Sequence, residues 1–203
     1  TILCNNLMRL SQLTKLDLPN LMTPKYFEWL ESSHICYMKL FYEGPELSVA
    51  LAQVMPKMKF LRWLNVFFPT NDEGRQWMSS LISKCTQINQ LRLVLHTLDV
   101  PPVVAALQSL SSLTDLEIQC NEGWEIPPAF YNLHFPHLTR LDMDPTVRNA
   151  NLLDLEDWLG YHTSLTELAM DFESVKVFDK LRDVLFKCPA LTVLQVGVGR
   201  SEE

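Results

Sequence analysis

A triplet of apolar positions, Leu-x-x-Leu-x-Leu, recurs along the whole chain, and no other feature limits the possible fold as strongly. The copies are Leu13/Leu16/Leu18, Ile35/Met38/Leu40, Leu61/Leu64/Val66, Ile88/Leu91/Leu93, Leu113/Leu116/Ile118, Leu138/Leu141/Met143, Leu165/Leu168/Met170 and Leu191/Leu194/Val196. Their middle positions, 16, 38, 64, 91, 116, 141, 168 and 194, are spaced by 22, 26, 27, 25, 25, 27 and 26 residues. Every slot holds Leu, Ile, Val or Met, far beyond chance for a chain that is 47% hydrophobic. The x-Leu-x-Leu part alternates with period two, so each copy reads as a short strand with one buried face. A unit this small cannot bury its apolar face alone. The repeats must therefore stack on one another, and the array folds as one unit over residues 1–203.

A period near 26 residues leaves room for a helix between successive strands, and several linkers carry helix signals. Thr23-Pro24 offers an N-cap and a first-turn proline ahead of Tyr26, Phe27 and Leu30. Asn71-Asp72-Glu73 supplies a cap and an acidic first turn before Trp77, Met78, Leu81 and Ile82. Asn151 leads into Leu152, Leu155, Trp158 and Leu159, and Ser174 into Val175, Phe178, Leu181, Val184 and Leu185. Trp29, Trp77 and Trp158 fall at helical spacing and read as core. Pro101-Pro102 permits only a short helix through Leu107, and Pro127-Pro128 a turn or so around Phe130.

Composition narrows the class further. The 203 residues carry 24 Asp and Glu against 17 Lys and Arg, a formal net charge of -7. An acidic balance argues against nucleic acid as the partner, since affinity there depends on cationic contacts to phosphate. No apolar run approaches the roughly 18 residues of a membrane-spanning helix, so no membrane role is expected. The five cysteines, Cys4, Cys36, Cys85, Cys120 and Cys188, include no Cys-x-x-Cys pair. Cys85 and Cys188 each lie three residues before a repeat's first apolar position, a packing role. Reduced thiols place the chain in the cytoplasm or nucleus. The first residues, Thr1 to Asn6, lack an initiator Met and a signal-peptide layout. The chain is expected to be a piece of a longer one, with neither the short tail after Gly197 nor the residues before Leu10 forming a complete cap.

The triplet series, from about residue 10 to residue 197, resembles the leucine-rich-repeat family. The resemblance implies an α/β solenoid of about eight repeats, curved, with parallel strands on the concave face and helices on the convex face. The family's Asn, three residues after the last strand position, stands only at Asn121; Leu21, Pro69, His96, Thr146, Glu173 and Gly199 occupy the equivalent places. That departure points to the irregular intracellular classes. Among these, the phrases around Leu138-Thr139-Arg140-Leu141, Leu165-Thr166-Glu167-Leu168 and Cys188-Pro189-Ala190-Leu191-Thr192 are similar to the repeats of fungal F-box-type proteins. The resemblance implies substrate recognition by a ubiquitin-ligase component, whose adaptor is bound through an F-box absent from this sequence. Leu18-Pro19 through Leu30 has a superficial F-box opening, but Leu16 and Leu18 already belong to the first repeat. The alternative is a structural or regulatory repeat domain of an unrelated intracellular protein, of the GTPase-regulator or immune-sensor type.

The chain shows no phosphate loop, nucleophile elbow or His-Glu-x-x-His motif, so no catalytic residue and no cofactor is expected. His134 and His137 are the one close histidine pair, and the intervening Pro136 favours a turn over a metal site. The informative positions are those forced outward by burial of the repeat leucines. Tyr37, Phe41, Trp63 and Phe67 form an aromatic group on the second and third strands. Asp115, Glu117, Asp142, Asp144, Glu167 and Asp171 form an acidic group on the fifth to seventh, against Arg140. Solvent-facing aromatics in a cluster mark an interface, and the acids select basic segments. Together these two groups are the expected partner-binding site.

Overall fold

The expected periodicity is realised as one sheet of eight parallel strands in strict sequence order. They are β1 (Lys15–Asp17), β2 (Tyr37–Phe41), β3 (Trp63–Phe67), β4 (Gln90–Leu95), β5 (Asp115–Cys120), β6 (Arg140–Val147), β7 (Glu167–Phe172) and β8 (Val193–Val198). The structure is a computed structural model and describes residues 12–17, 27–41, 45–95, 101–120, 128–147, 152–172 and 188–198, with single positions 176, 179, 181, 182 and 185. The expectations for Leu18, Thr23-Pro24, Asn121, Asn151, Ser174 and the last five residues lie outside it.

Register follows the triplets. Leu16 pairs with Met38, Met38 with Leu64, Leu64 with Leu91, and so on through Leu116, Leu141, Leu168 and Leu194. The residues of this column from Met38 to Leu168 are essentially sealed. Leu194 is 41% exposed, because β8 has a neighbour on one side only among the described residues. Parallel strands need a crossover, and here each is a helix or a turn on the face toward which the leucines point. The fold is thus an α/β leucine-rich-repeat solenoid with its strands on the concave side and helices on the convex side.

Local sequence explains each crossover. Asn71 caps the Asp72–Lys84 helix, its Oδ1 accepting from Gly74 N–H at 2.8 Å. Gly74 is needed there, since a Cβ would meet the Pro69 ring and the capping oxygen. Pro101–Leu107 is the expected two-turn helix and Leu152–Tyr161 the expected amphipathic one. Around Phe130 the expected turn is a 3-10 segment at Pro128–Asn132, while the helix expected through Phe27 and Leu30 is, over the described residues, only a 3-10 turn at Glu28–Ser32 with no side-chain cap. The Pro45–Val54 helix, which opens on a first-turn proline followed by Glu46, was not expected. Trp158 is buried, while Trp29 and Trp77 are half-buried against the core.

Polar links tie the repeats together beyond the ladder. Thr14, Cys36, Arg62, Asn89, Thr114, Thr139 and Thr166 each offer a carbonyl that accepts two N–H groups from the following repeat. In the later repeats a threonine hydroxyl reaches the same carbonyl: Thr139 to Thr114 at 3.1 Å, Thr166 to Thr139 at 2.9 Å and Thr192 to Thr166 at 3.2 Å. The Leu-Thr phrases behind the F-box-type resemblance therefore have a local structural cause.

A second device sits three residues before each of the last six triplets. Met58, Cys85, Leu110, Phe135, His162 and Cys188 occupy this equivalent buried place, each carbonyl accepting from the first triplet residue. Burial pushes the Cys85 thiol up to about 12, consistent with a packing role. His162 is the polar exception. Its Nε2 accepts from Phe135 N–H at 3.1 Å, and Nδ1–H donates to Trp158 O at 2.7 Å. Trp158, stacked on it at 3.9 Å between ring centroids, donates from Nε1 to Leu133 O at 2.8 Å.

Two predictions follow from this packing. Leu116→Ala, in the centre of the sealed column, should cost about 2–5 kcal/mol in urea melts, and a loss under about 1 kcal/mol would mean the column is not structural. Burial lowers the His162 pKa, with the charge of nearby His134 adding to the effect and the Trp158 carbonyl opposing it. The native state therefore holds this imidazole neutral while the unfolded chain protonates it near 6.5. Its contribution is fully present above that value and is lost as pH falls through it toward the lower native pKa. The slope should approach about 1.4 kcal/mol per pH unit at most. His162→Phe, which places the Phe135 type of side chain at the same repeat position, should flatten the stability profile between about pH 5 and 7.

Candidate functional site

Period-two alternation in eight registered strands produces straight rows of side chains on the open face. One row runs Lys15, Tyr37, Trp63, Gln90, Asp115, Arg140, Glu167, Val193. The next runs Asp17, Lys39, Asn65, Arg92, Glu117, Asp142, Ala169, Gln195. Neither row has a helix packed over it among the described residues, so these side chains contribute little to the core.

The four aromatics come together as two cross-strand pairs. Tyr37 meets Trp63 edge to face at 4.8 Å, and Phe41 stacks on Phe67 at 4.5 Å. Lys39 lies between them, its Nζ 5.0 Å from the Phe41 ring centre and 4.9 Å from that of Phe67, and Lys15 Nζ is 5.8 Å from Tyr37. Trp63 remains 38% exposed. Another aromatic pair, His34 on Phe60 at 4.8 Å, stands three residues ahead of Tyr37 and Trp63 at the entrances to β2 and β3.

The rows hold one surprise. Asn65, expected to face solvent, is 6% exposed. Its Nδ2 donates to Tyr37 Oη at 3.5 Å, and its Oδ1 is buried with no partner among the described residues. Large neighbours on the same face cover a residue that alternation alone would leave open. A depression of about 430 Å³ opens beside it, lined by Lys15, Asp17, Tyr37, Trp63, Asn65 and Arg92.

At the acidic end the structure divides the six carboxylates. Arg92 Nε lies 3.2 Å from Glu117 Oε1, and its Nη2 donates to Gln119 Oε1 at 2.7 Å. Arg140 pairs with Asp142 at 3.1 Å and with Glu167 at 3.6 Å. The expectation of six acids against a single Arg therefore misses Arg92, which stands one strand before Glu117 in the same row. Aligning the repeats as cross-strand neighbours would have found it. Asp115 accepts from the Thr114 hydroxyl at 2.6 Å, a proton shared with Asn89 O.

Asp144 departs from its expected row. The ladder slips between Met143 and Thr146, so that Thr146 and not Asp144 stands opposite Asp171, and Asp144 is exposed at the slip. The charges nonetheless converge. Partial burial, then the charges of Asp144 and Asp142, raise the Asp171 pKa from its ordinary value. Asp171 leans into the space left by Gly197, directly across on β8, where a Cβ would collide with its carboxylate. Asp144 and Asp171 make no ion pair among the described residues and border a depression of about 380 Å³ with Asp142, Gln119 and Gln195. No group of three His, Cys, Asp or Glu among the described residues could hold a metal ion.

No protein-family model matches the chain, and no curated protein matches it. Among solved structures that match, the crystal structure of a TLR13–ssRNA13 complex covers 97% of this chain at 14% identity and a TM-score of 0.47. The chain spans 38% of that chain's length. The repeat register and the parallel sheet carry the fold assignment by themselves.

Proposed function

We propose that the protein is a binding scaffold that holds a protein partner on its concave strand face. The observation that carries this reading is the aromatic group Tyr37, Phe41, Trp63 and Phe67, gathered on an open sheet face with Trp63 over a third exposed. Nothing in the core requires four large rings there. Clustered apolar surface of this kind marks interfaces, and Trp and Tyr dominate their energetics. The carboxylates at the other end favour a basic partner segment and, with the net charge of -7, disfavour nucleic acid. No described helix is long and apolar enough to cross a membrane. A cytoplasmic or nuclear location fits the thiols of Cys36 and Cys85.

Substrate recognition within an F-box-type ubiquitin ligase is the finer form of this proposal. It rests on the Leu-Thr phrases, and an F-box encoded upstream of Thr1 in the gene would decide it. A catalytic role has no support in the arrangement of titratable groups described above.

The two halves of the face should separate by kinetics. Trp63→Ala should raise the dissociation rate of a captured partner by an amount nearly independent of salt. Charge reversal at Asp142 and Asp144 should slow association at low ionic strength and matter little at high, because steering by surface charge is screened over about a Debye length. If both variants bind a recovered partner as the parent does, the contact lies on the convex side and the concave assignment is wrong.

A further inference from the structure

The geometry points to an extended peptide segment as the occupant of this face, an inference that rests on the concave-face reading and deepens it. We propose that Asn65 reads the backbone of that segment beside Trp63. An apolar residue of the segment would pack on the Tyr37–Trp63 pair, and a Lys or Arg about six to seven residues away would meet Asp144 and Asp171.

Asn65 carries the first half of the argument. A buried polar atom without a partner is uncommon in a folded protein and costs free energy as long as it stays unpaired. At this position, between Leu64 and Val66, an apolar side chain would avoid the cost. A primary amide presents one acceptor and two donors, and that set complements a peptide group, which offers an N–H and a C=O. The flanking row neighbours, Lys39 and Arg92, are donors already engaged with rings and with Glu117 and Gln119. The Asn65 oxygen is thus a buried acceptor of this row with no partner among the described residues, and the residue lines the open depression beside Trp63. Its oxygen is covered in the free protein, so a small shift of the neighbouring rings accompanies binding.

Strand geometry carries the second half. Parallel strands lie about 4.8 Å apart, so the three to four steps from β3 to β6 and β7 span about 14–19 Å across the sheet, and Asp144 and Asp171 lie about four residues, or about 13 Å, further along their strands than the row of Trp63, Arg140 and Glu167. The separation is therefore about 19–23 Å, and an extended chain advancing about 3.4 Å per residue places the apolar and basic residues about six to seven positions apart. Glu117, Asp142 and Glu167, in between or alongside, are paired with Arg92 and Arg140, and Asp115 accepts from the Thr114 hydroxyl. The attraction for a cation is thus stronger at Asp144 and Asp171, which make no ion pair among the described residues, and the spacing becomes selective.

The test uses labelled synthetic peptides carrying one Phe and one Arg-Lys pair, separated by Gly/Ser spacers of about one to about nine residues, in both chain orders. Binding is followed by fluorescence anisotropy at low and high salt. Affinity should peak at spacers of about five to six, fall roughly tenfold at the shortest, and lose its salt dependence in Asp144→Asn/Asp171→Asn. Asn65→Leu should weaken the best peptide roughly tenfold while leaving the melting temperature equal or higher, since it removes an unpaired buried atom. A lower melting temperature in Asn65→Leu would assign Asn65 a structural role and overturn its part. Peptides that bind in a Trp63-dependent way with no spacing optimum would overturn the spacing inference and leave the concave site standing. If no peptide binds, or if binding is untouched by Trp63→Ala, the concave-face reading fails and this inference with it.

Discussion

Every structural feature described above depends on one packing constraint: the middle apolar residue of each repeat is buried by the corresponding residue of its neighbours. Leu64 cannot leave water without Met38 on one side and Leu91 on the other, and the sealed column from Met38 to Leu168 shows the condition satisfied repeat by repeat. This makes stability a sum of neighbour terms, and explains why the exposure of Leu194 appears at the edge strand and nowhere inside. It also fixes register. A slip of one residue on any strand would turn its leucines outward and its charged row inward, so the alignment of the open-face rows is a consequence of the core.

The polar links follow from the same stacking. A solenoid brings equivalent atoms of successive repeats together at a constant offset, so a bond that works once can be repeated. The shared carbonyls from Thr14 to Thr166 are the backbone case, and the threonine hydroxyls of the later repeats are the side-chain case. His162 illustrates a variation on the pattern. It fills a place elsewhere occupied by Met, Cys, Leu or Phe, and its two ring nitrogens are both used, one toward Phe135 and one toward Trp158. The gain is a specific tie between neighbouring repeats; the cost is a side chain that must stay neutral.

The strands, their order and the buried residues of the triplets were legible because Leu, Ile, Val and Met repeat with two superposed periods, two within a strand and about 26 between strands. Helices were read at Asn71 and Pro101, where a polar cap or prolines announce them, while Pro45–Val54, which opens on the same kind of signal in Pro45 and Glu46, was missed. On the open face, alternation predicts direction but not environment. Asn65 points outward as expected, yet its neighbours are large enough to bury it. Arg92 was legible as an outward residue, while its pairing with Glu117 requires a cross-strand comparison that a single repeat does not contain. The displacement of Asp144 depends on a ladder slip before Pro145-Thr146, which the triplet pattern does not encode.

Those pairings change what the open face can do. Six carboxylates in a row would give a broad negative field that attracts any cation. Arg92 and Arg140 instead offset part of the charge in the middle of the face, and exposed pairs of this kind contribute little to stability, about 0–1 kcal/mol each. Their larger effect is on the field. Attraction is strongest at Asp144 and Asp171, separated from the aromatic group by a stretch in which arginines stand among the acids. Long-range steering is thereby reduced, since the pairs cancel beyond a few ångströms, while discrimination at short range is increased: a cation placed over the middle of the face meets arginines as well as acids. A surface arranged in this way suits a partner recognised by the distance between two features better than one recognised by charge alone.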